Sequence, residues 1–492
     1  MEQPVPGDYL TSRKKLLAKT LDLLAPHFSF VSVLGADDRG LSFFANPHET
    51  TIGEPFWTQR GFVFRAQKEG MIAEYAWEGL DLDDPDSLAA LVRHNLEQAL
   101  AMPGMYRFAP LPDPEWHASW QASVKIDPFT CDTAEIISRL VDLQRNLQQH
   151  PFIVTAYSRY EAVHVSRMFL SPHRDLFQSF IWGQAYLFGI ARRDDRQRLS
   201  YRSVSGLEGA ELLDSLYGIV PELASELEEL LDAIAIEPGE YDVILDPDVA
   251  GTLAHEAFGH GVETDMFFKG RARASEYLGK RVGSDLVTMY DGAQGVVQTG
   301  SYLFDDEGMP ASSTMVIDHG MLVSGISDAL SALALGLPAT GNGRRQAVTH
   351  KAYARMTNTY FAPGDATLDS MLASIRHGWY LSRVNSGMED PRNWGIQLLC
   401  LVGREIRDGR FTGRIASPVV CSGYVPDVLS AIDMVSRDFS LSGSGYCGKG
   451  YKEFVKVSSG GPHVKTRMRL YEHSTLSILG KDPFSARCSS TP

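Results

Sequence analysis

At 492 residues the chain is too long for one hydrophobic core, so two or three domains are expected. Its 44% hydrophobic and 22% charged residues are ordinary globular values, and a net charge of −15 argues against a nucleic-acid surface, which needs a basic face. No run of about 18 apolar residues occurs, so no membrane span is expected. The opening residues carry no apolar signal core, and five scattered cysteines make no disulfide framework, so a reducing, cytoplasmic setting is expected.

Leu10, Leu16, Leu17, Leu21 and Leu24 fall at helical spacing and stop near Pro26. Short apolar runs follow at Phe28–Leu34, Leu41–Ala45, Gly61–Arg65 and Met71–Trp77, each of strand length. Residues 86–102 return to helical period. Residues 103–130 hold Pro103, Pro110, Pro112, Pro114 and Pro128 and read as a linker or wrapping loop. Residues 1–130 are therefore expected to form a first α+β unit.

A second unit is expected over residues 131–235. Asp132–Gln149 carries Ile136, Ile137, Leu140, Leu143 and Leu147 on one helical side. Phe152–Leu170 and Phe177–Arg192 read as strands, and Arg192–Arg196 as a polar turn between two strands, in preference to a binding site. Residues 208–234 are helical, interrupted at Pro221. His164 and His173 read as surface or core polar residues.

Residues 236–492 form a third, β-rich unit. The strand Tyr241–Leu245 delivers the chain to Asp246–Asp265, which contains His255, Glu256 and His260. Two imidazoles and a carboxylate this close are the parts of a hydrolytic zinc site. The short zinc-protease motif places its histidines four apart on one helical face. Here they stand five apart, and at about 100° per residue the rings of a regular helix would diverge by roughly 140°. They converge only if the helix widens or ends between them, as in a π-type turn. Gly259 and Gly261 flank the second histidine and permit such a distortion. Asp246 is suited to cap the segment, with Pro247 at the first helical position.

Further on, Asp305-Asp306-Glu307 lacks the ligand spacing of a calcium loop and reads as a solvated turn. Ser313–Ile317 and Met321–Ile326 read as strands about His319-Gly320. Gly341–Arg345 reads as a flexible polar segment whose Arg344 and Arg345 suit either a substrate carboxylate or carbonyl, or solvent. Thr367–His377 reads as a brief helix, then Trp394–Ile406 and Arg410–Val420 as strands about the Asp408-Gly409 turn. Cys447 lies in a glycine-rich loop, with Lys449 near enough to favour its thiolate, and suits a metal ligand or a reactive thiol. Cys400 and Cys421 read as small packed hydrophobes, and Cys488 as part of a mobile tail. Glu263 and Asp265 are close enough to serve as alternative ligands or as partners that orient a histidine ring; the second role is favoured.

These segments together resemble the TldD/PmbA family of metalloproteases, in particular its catalytic TldD-like branch. The matching pieces, in order, are Asp246–Asp265, Phe304–Gly308, Gly341–Gln346, Arg355–Tyr360 and Cys447–Lys449, so the resemblance covers roughly residues 236–456. It implies that His255, His260 and Cys447 bind Zn2+ and that Glu256 is the catalytic base. It implies a peptidase for unfolded or extended peptides, including leader peptides of ribosomally made natural products. It also implies a homodimer, or a heterodimer with a paralogue lacking the zinc motif. The chain departs from the family pattern after Lys449, where Gly450-Tyr451-Lys452-Glu453 replaces an expected Gly-Gln. The competing readings are a non-catalytic, zinc-stabilised binding or assembly subunit, and a thiol enzyme using Cys447 with His255 or His260 as base. The expected architecture is α+β: α/β-type N-terminal units, then a β-rich C-terminal domain of mixed or antiparallel sheets carrying the metal site.

Overall fold

The computed structural model describes residues 7–78, 83–103, 106–450 and 453–472. Cys488 and the first six residues lie outside these. The fold is α+β, with a β-rich C-terminal part.

The first sheet has eight strands. Its central path runs Met71–Trp77, Gln59–Lys68, Phe30–Ala45, Ile153–Leu170, Arg174–Arg193 and Trp116–Gln121. Long alternating apolar runs supply strands that can be covered on their faces. Helices Asp8–Leu24 and Pro85–Leu100 bury Leu17, Leu21, Val92 and Leu96 against Val33, Phe62 and Phe64. Helices Thr133–Gln148 and Val220–Leu230 bury Leu140, Leu143 and Leu227 against Tyr160 and Leu187. Phe30–Ala45 pairs antiparallel with Ile153–Leu170, so one sheet takes strands from both sides of residue 130. Within the proline-rich stretch, Trp116–Gln121 adds to the sheet edge in parallel to Arg174–Arg193, with Trp116 beside Arg174.

Two large sheets and one two-stranded sheet make the C-terminal part. One has six strands, in the order Met321–Leu322, Thr314–Asp318, Met289–Asp291, Asn358–Phe361, Glu453–Gly461 and Ser440–Lys449. It is mixed: Asn358–Phe361 runs parallel to Glu453–Gly461, and the other pairs are antiparallel. The other has seven strands, with Gly239–Leu245 between His377–Glu389 and Val464–Glu472. Both expected tight turns are present. Asp408 and Gly409 have φ of 46° and 81°, and His319 and Gly320 have 43° and 80°, the left-handed pairs that match strand twist.

The helix Pro247–Ala254 lies in the core shared by these two sheets. Val249, Leu253 and Phe258 pack in one cluster with Val455 and Val457 of the six-stranded sheet and Leu381 and Leu398 of the seven-stranded one. That burial fixes where the histidine segment emerges.

The acidic tripeptide is not a solvated turn. Asp305 and Glu307 are buried. Asp305 accepts from the backbone N–H groups of Glu307, Met309 and Gly343, while Glu307 pairs with Arg65 at 2.5 Å. Asp306 pairs with Arg167 at 3.3 Å. Polar character alone misleads here, because the partners that make burial tolerable come from far away in sequence. Gly341–Arg345 is likewise ordered: Asn342 is buried and donates to Asp291, and Gly343–Arg344 pairs with Tyr353–Ala354.

Candidate metal centre

Asp246 caps the helix Pro247–Ala254, its carboxylate accepting from Val249 N–H at 2.8 Å. The five residues His255–Gly259 then wind as a π-helix. The departure from helical angles sits at Phe258 (φ −128°, ψ 16°) and not at Gly259, which keeps φ −79°. Phe258 packs against Trp394 at 5.7 Å between ring centroids, which holds the wide turn. The turn brings the two imidazoles to 5.3 Å between centroids, nearly perpendicular to each other.

Cys447 lies not in a loop but on the strand Ser440–Lys449, where it pairs with Val455 because the glycines around it take extended backbone as part of the ladder. One donor atom each from His255, His260 and Cys447 lies within 4.8 Å of the others. Cys447 Sγ is 3.4 Å from His260 Nε2. On its other side His260 faces Glu263, with Nδ1 3.2 Å from Oε2. Donation from Nδ1–H to that carboxylate leaves Nε2 free to bind a metal, the usual way a carboxylate orients a ligand ring. Burial pushes the Cys447 thiol up, but His260 and the Arg355 guanidinium outweigh it and hold the thiol well below its ordinary range. Two imidazole nitrogens and a sulfur inclined to thiolate, buried and held in orientation, fit a borderline-soft ion such as Zn2+.

The cation expected to act on the thiol is displaced. Lys449 Nζ contacts Asp265 at 2.6 Å and Glu263 at 3.1 Å, and donates to the Ala354 carbonyl at 3.0 Å. Arg355, which spacing arguments did not single out, is fully buried and donates to the Cys447 carbonyl at 2.5 Å. Its Nε lies 3.8 Å from Glu263. Burial tends to raise the Glu263 carboxyl, but Lys449 and His260 hold it below its ordinary value. Glu263 therefore meets the imidazole directly, whereas Asp265 acts one step further out, on Lys449 and Lys269.

Glu256 and His255 open on a groove of about 850 Å³. Its walls include Ile52 of the strand Thr50–Gly53 in the first sheet, Phe56 just after it, Val384–Ser386, and Ser444–Tyr446 of the strand carrying Cys447. That strand is the last in its sheet order and has a register shift between Ser442 and Gly445. Glu389 stands nearby and has no sequence signal of its own. Burial pushes its carboxyl up to about 9, with His260 opposing and Glu256, Asp390 and Glu263 adding to the rise.

Arg344 and Arg345 are committed to internal partners. Arg344 donates to the carbonyls of Met356 and Lys456 at 2.6 and 2.7 Å. Arg345 pairs with Glu74 at 2.9 Å and donates to the His350 carbonyl at 2.8 Å. The structure assigns both guanidinium groups to packing between segments.

Residues 238–469 match the PmbA/TldA metallopeptidase C-terminal domain. A metalloprotease of Synechocystis is 30% identical over 319 residues, covering 64% of this chain and 68% of that protein. A zinc metalloprotease TldD homolog of Saccharolobus solfataricus is 35% identical over 46% of this chain, which spans about half of that relative, 51%. The solved structure of TldE from Thermococcus kodakarensis superposes with a TM-score of 0.75 at 16% identity, covering 93% of this chain and 100% of that one, and shows the same fold. Among the described residues no helix is long and apolar enough to cross a membrane. The domain match and the relative from Synechocystis agree, and the chain belongs to the TldD/PmbA family, whose relatives here bear metalloprotease names.

Proposed function

We propose that the protein is a zinc-dependent peptidase that hydrolyses peptide bonds in unfolded or extended peptides, including the trimming of leader peptides from ribosomally made natural products. The observation that carries this reading is the convergence of His255, His260 and Cys447 within 4.8 Å, with His255 and Glu256 on the wall of one groove. A purely structural zinc site has no use for a carboxylate there and is usually closed by four protein ligands.

His255, His260 and Cys447 would hold the ion, which would supply Lewis acidity toward the scissile carbonyl and toward water. Glu256 takes the proton from the attacking water and passes it to the leaving nitrogen. Glu263 fixes the His260 tautomer, and Arg355 anchors the Cys447 main chain and favours the thiolate. A thiolate neutralises part of the ion's charge, so turnover should be slower than at a site of three neutral imidazoles. Ser444–Tyr446 of the bulged edge strand Ser440–Lys449 line the groove, and an extended peptide laid beside that strand suits binding that ignores side-chain identity. Exposed Ile52 and Phe56 offer apolar contact. In this reading the enzyme works in the cytoplasm as a dimer, with a second copy or with a paralogue lacking the zinc motif.

The test compares casein cleavage and zinc content in wild type, Glu256→Gln and Cys447→Ala. Glu256→Gln should retain one zinc per chain and lose at least about 100-fold in rate; Cys447→Ala should lose zinc. Full activity in Glu256→Gln, or full zinc and activity in Cys447→Ala, would overturn the assignment.

A further inference from the structure

Among the described residues, Glu389 alone has both carboxylate oxygens buried without a hydrogen-bond partner. It ends the strand His377–Glu389, two positions beyond Gly387, so the two share a face. That face addresses the histidine segment. A Cβ at Gly387 would stand 2.7 Å from Glu256 Cγ, and a Cβ at Gly261 would stand 3.7 Å from Glu389 Oε1. Glu389 is nevertheless outside the group of three donors that converge.

The strand also runs between two grooves. Val384–Ser386 line the one that holds His255 and Glu256. Met388–Asp390 line a second, of about 730 Å³, shared with Ser422–Tyr424. A buried carboxyl without a partner is costly in the free protein. A ligand N–H that reaches it removes that cost on binding.

We propose that Glu389 is a further substrate-binding residue: it accepts a hydrogen bond from a main-chain N–H of the peptide where the chain crosses from the Glu256 groove into the second groove. The substrate then spans both grooves, with its scissile bond in the first, at Glu256. A carboxyl group in either charge state offers the acceptor. The inference rests on the peptidase reading and adds the path of the substrate beyond the bond that is cut.

The experiment uses zinc-loaded full-length protein in a Glu256→Gln background and a fluorescein-labelled ten-residue casein peptide, with binding followed by anisotropy. Adding Glu389→Ala should weaken binding about 10-fold, the scale of one hydrogen bond to a carboxyl group. Zinc per chain should be unchanged, and the melting temperature should stay level or rise, because an unpartnered buried group has gone. Glu389→Gln keeps an acceptor oxygen and should retain most of the affinity, which also guards against a folding defect in the alanine variant. Equal affinity with and without Glu389, or zinc lost with Glu389→Ala, would overturn the proposal. If Glu256→Gln alone binds neither zinc nor the peptide, the peptidase reading itself falls.

Discussion

Gly387 leaves space that Glu256 fills. A methyl group there would sit 2.7 Å from Glu256 Cγ, 2.8 Å from Thr252 Cγ2 and 3.1 Å from Glu256 Oε1. Two of these three atoms belong to one flexible side chain, so the fold can yield by turning the carboxylate aside. Gly387→Ala should therefore lower kcat by about 100-fold, the scale of a 1 Å misplacement of a reacting group. Zinc content and thermal unfolding should barely change. A variant with wild-type kcat would show that Glu256 is not held by this contact or does not take part. The glycine gave no warning in the sequence, because its constraint is a side chain more than a hundred positions away.

The helix Pro247–Ala254 shows the same closeness at the level of an element, with the opposite consequence. A Cβ on Gly251 would lie 2.2 Å from Gly460 N and 2.8 Å from Ser459 C. Both are main-chain atoms of the strand Glu453–Gly461, paired on both sides, and cannot rotate away. Alanine favours a helix over glycine by about 1 kcal/mol. Overpacking against a fixed wall costs about 1–3 kcal/mol. The clash should win, so Gly251→Ala is expected to lower stability in urea and to shift the helix that ends at His255. Zinc affinity, measured by competition with a chelator, should fall as well. Unchanged affinity would mean that the π-helical turn absorbs the displacement before it reaches the imidazoles.

At the scale of the whole molecule, buried ion pairs fasten the first sheet to the β-rich part. Glu74 on Met71–Trp77 pairs with Arg65 at 2.7 Å and with Arg345 at 2.9 Å, and Arg65 reaches Glu307. Burial raises the Glu74 carboxyl, but the two guanidinium groups outweigh it and lower it from 4.5 to about 2. Because the folded value lies below the unfolded one, the linked stability is complete above pH 4.5 and is lost as pH falls towards 2. The shift corresponds to at most about 3 kcal/mol. Glu74→Gln should destabilise the protein at pH 6 and flatten the decline of the urea midpoint between pH 4.5 and 3. Parallel pH curves for variant and wild type would remove Glu74 from this role. Replacing one partner leaves the arginines buried and underpaired, so the loss at pH 6 should exceed that of an exposed pair.

Local chemistry was readable in the residues themselves. The Asp246 cap, the left-handed turns at His319-Gly320 and Asp408-Gly409, and the need for a widened turn between histidines five apart each depend on a few neighbouring positions, and each is present. The sequence also pointed to Cys447 as a donor for the histidine pair, through its glycine-rich setting and the ordered likeness to one family. Only the tertiary structure decided what surrounds each charge. Arg65 and Glu307 meet across 242 positions, Lys449 turns to Asp265 across 184, and Arg355 takes the place beside Cys447 across 92. The same holds for Arg344 and Arg345, drawn inside by carbonyls and by Glu74, and for Glu389, left without a partner at the junction of two grooves. Spacing along the chain dictates which side chains share a turn or a face. Burial and pairing depend on which distant segments close over them, and that is settled only when the sheets pack.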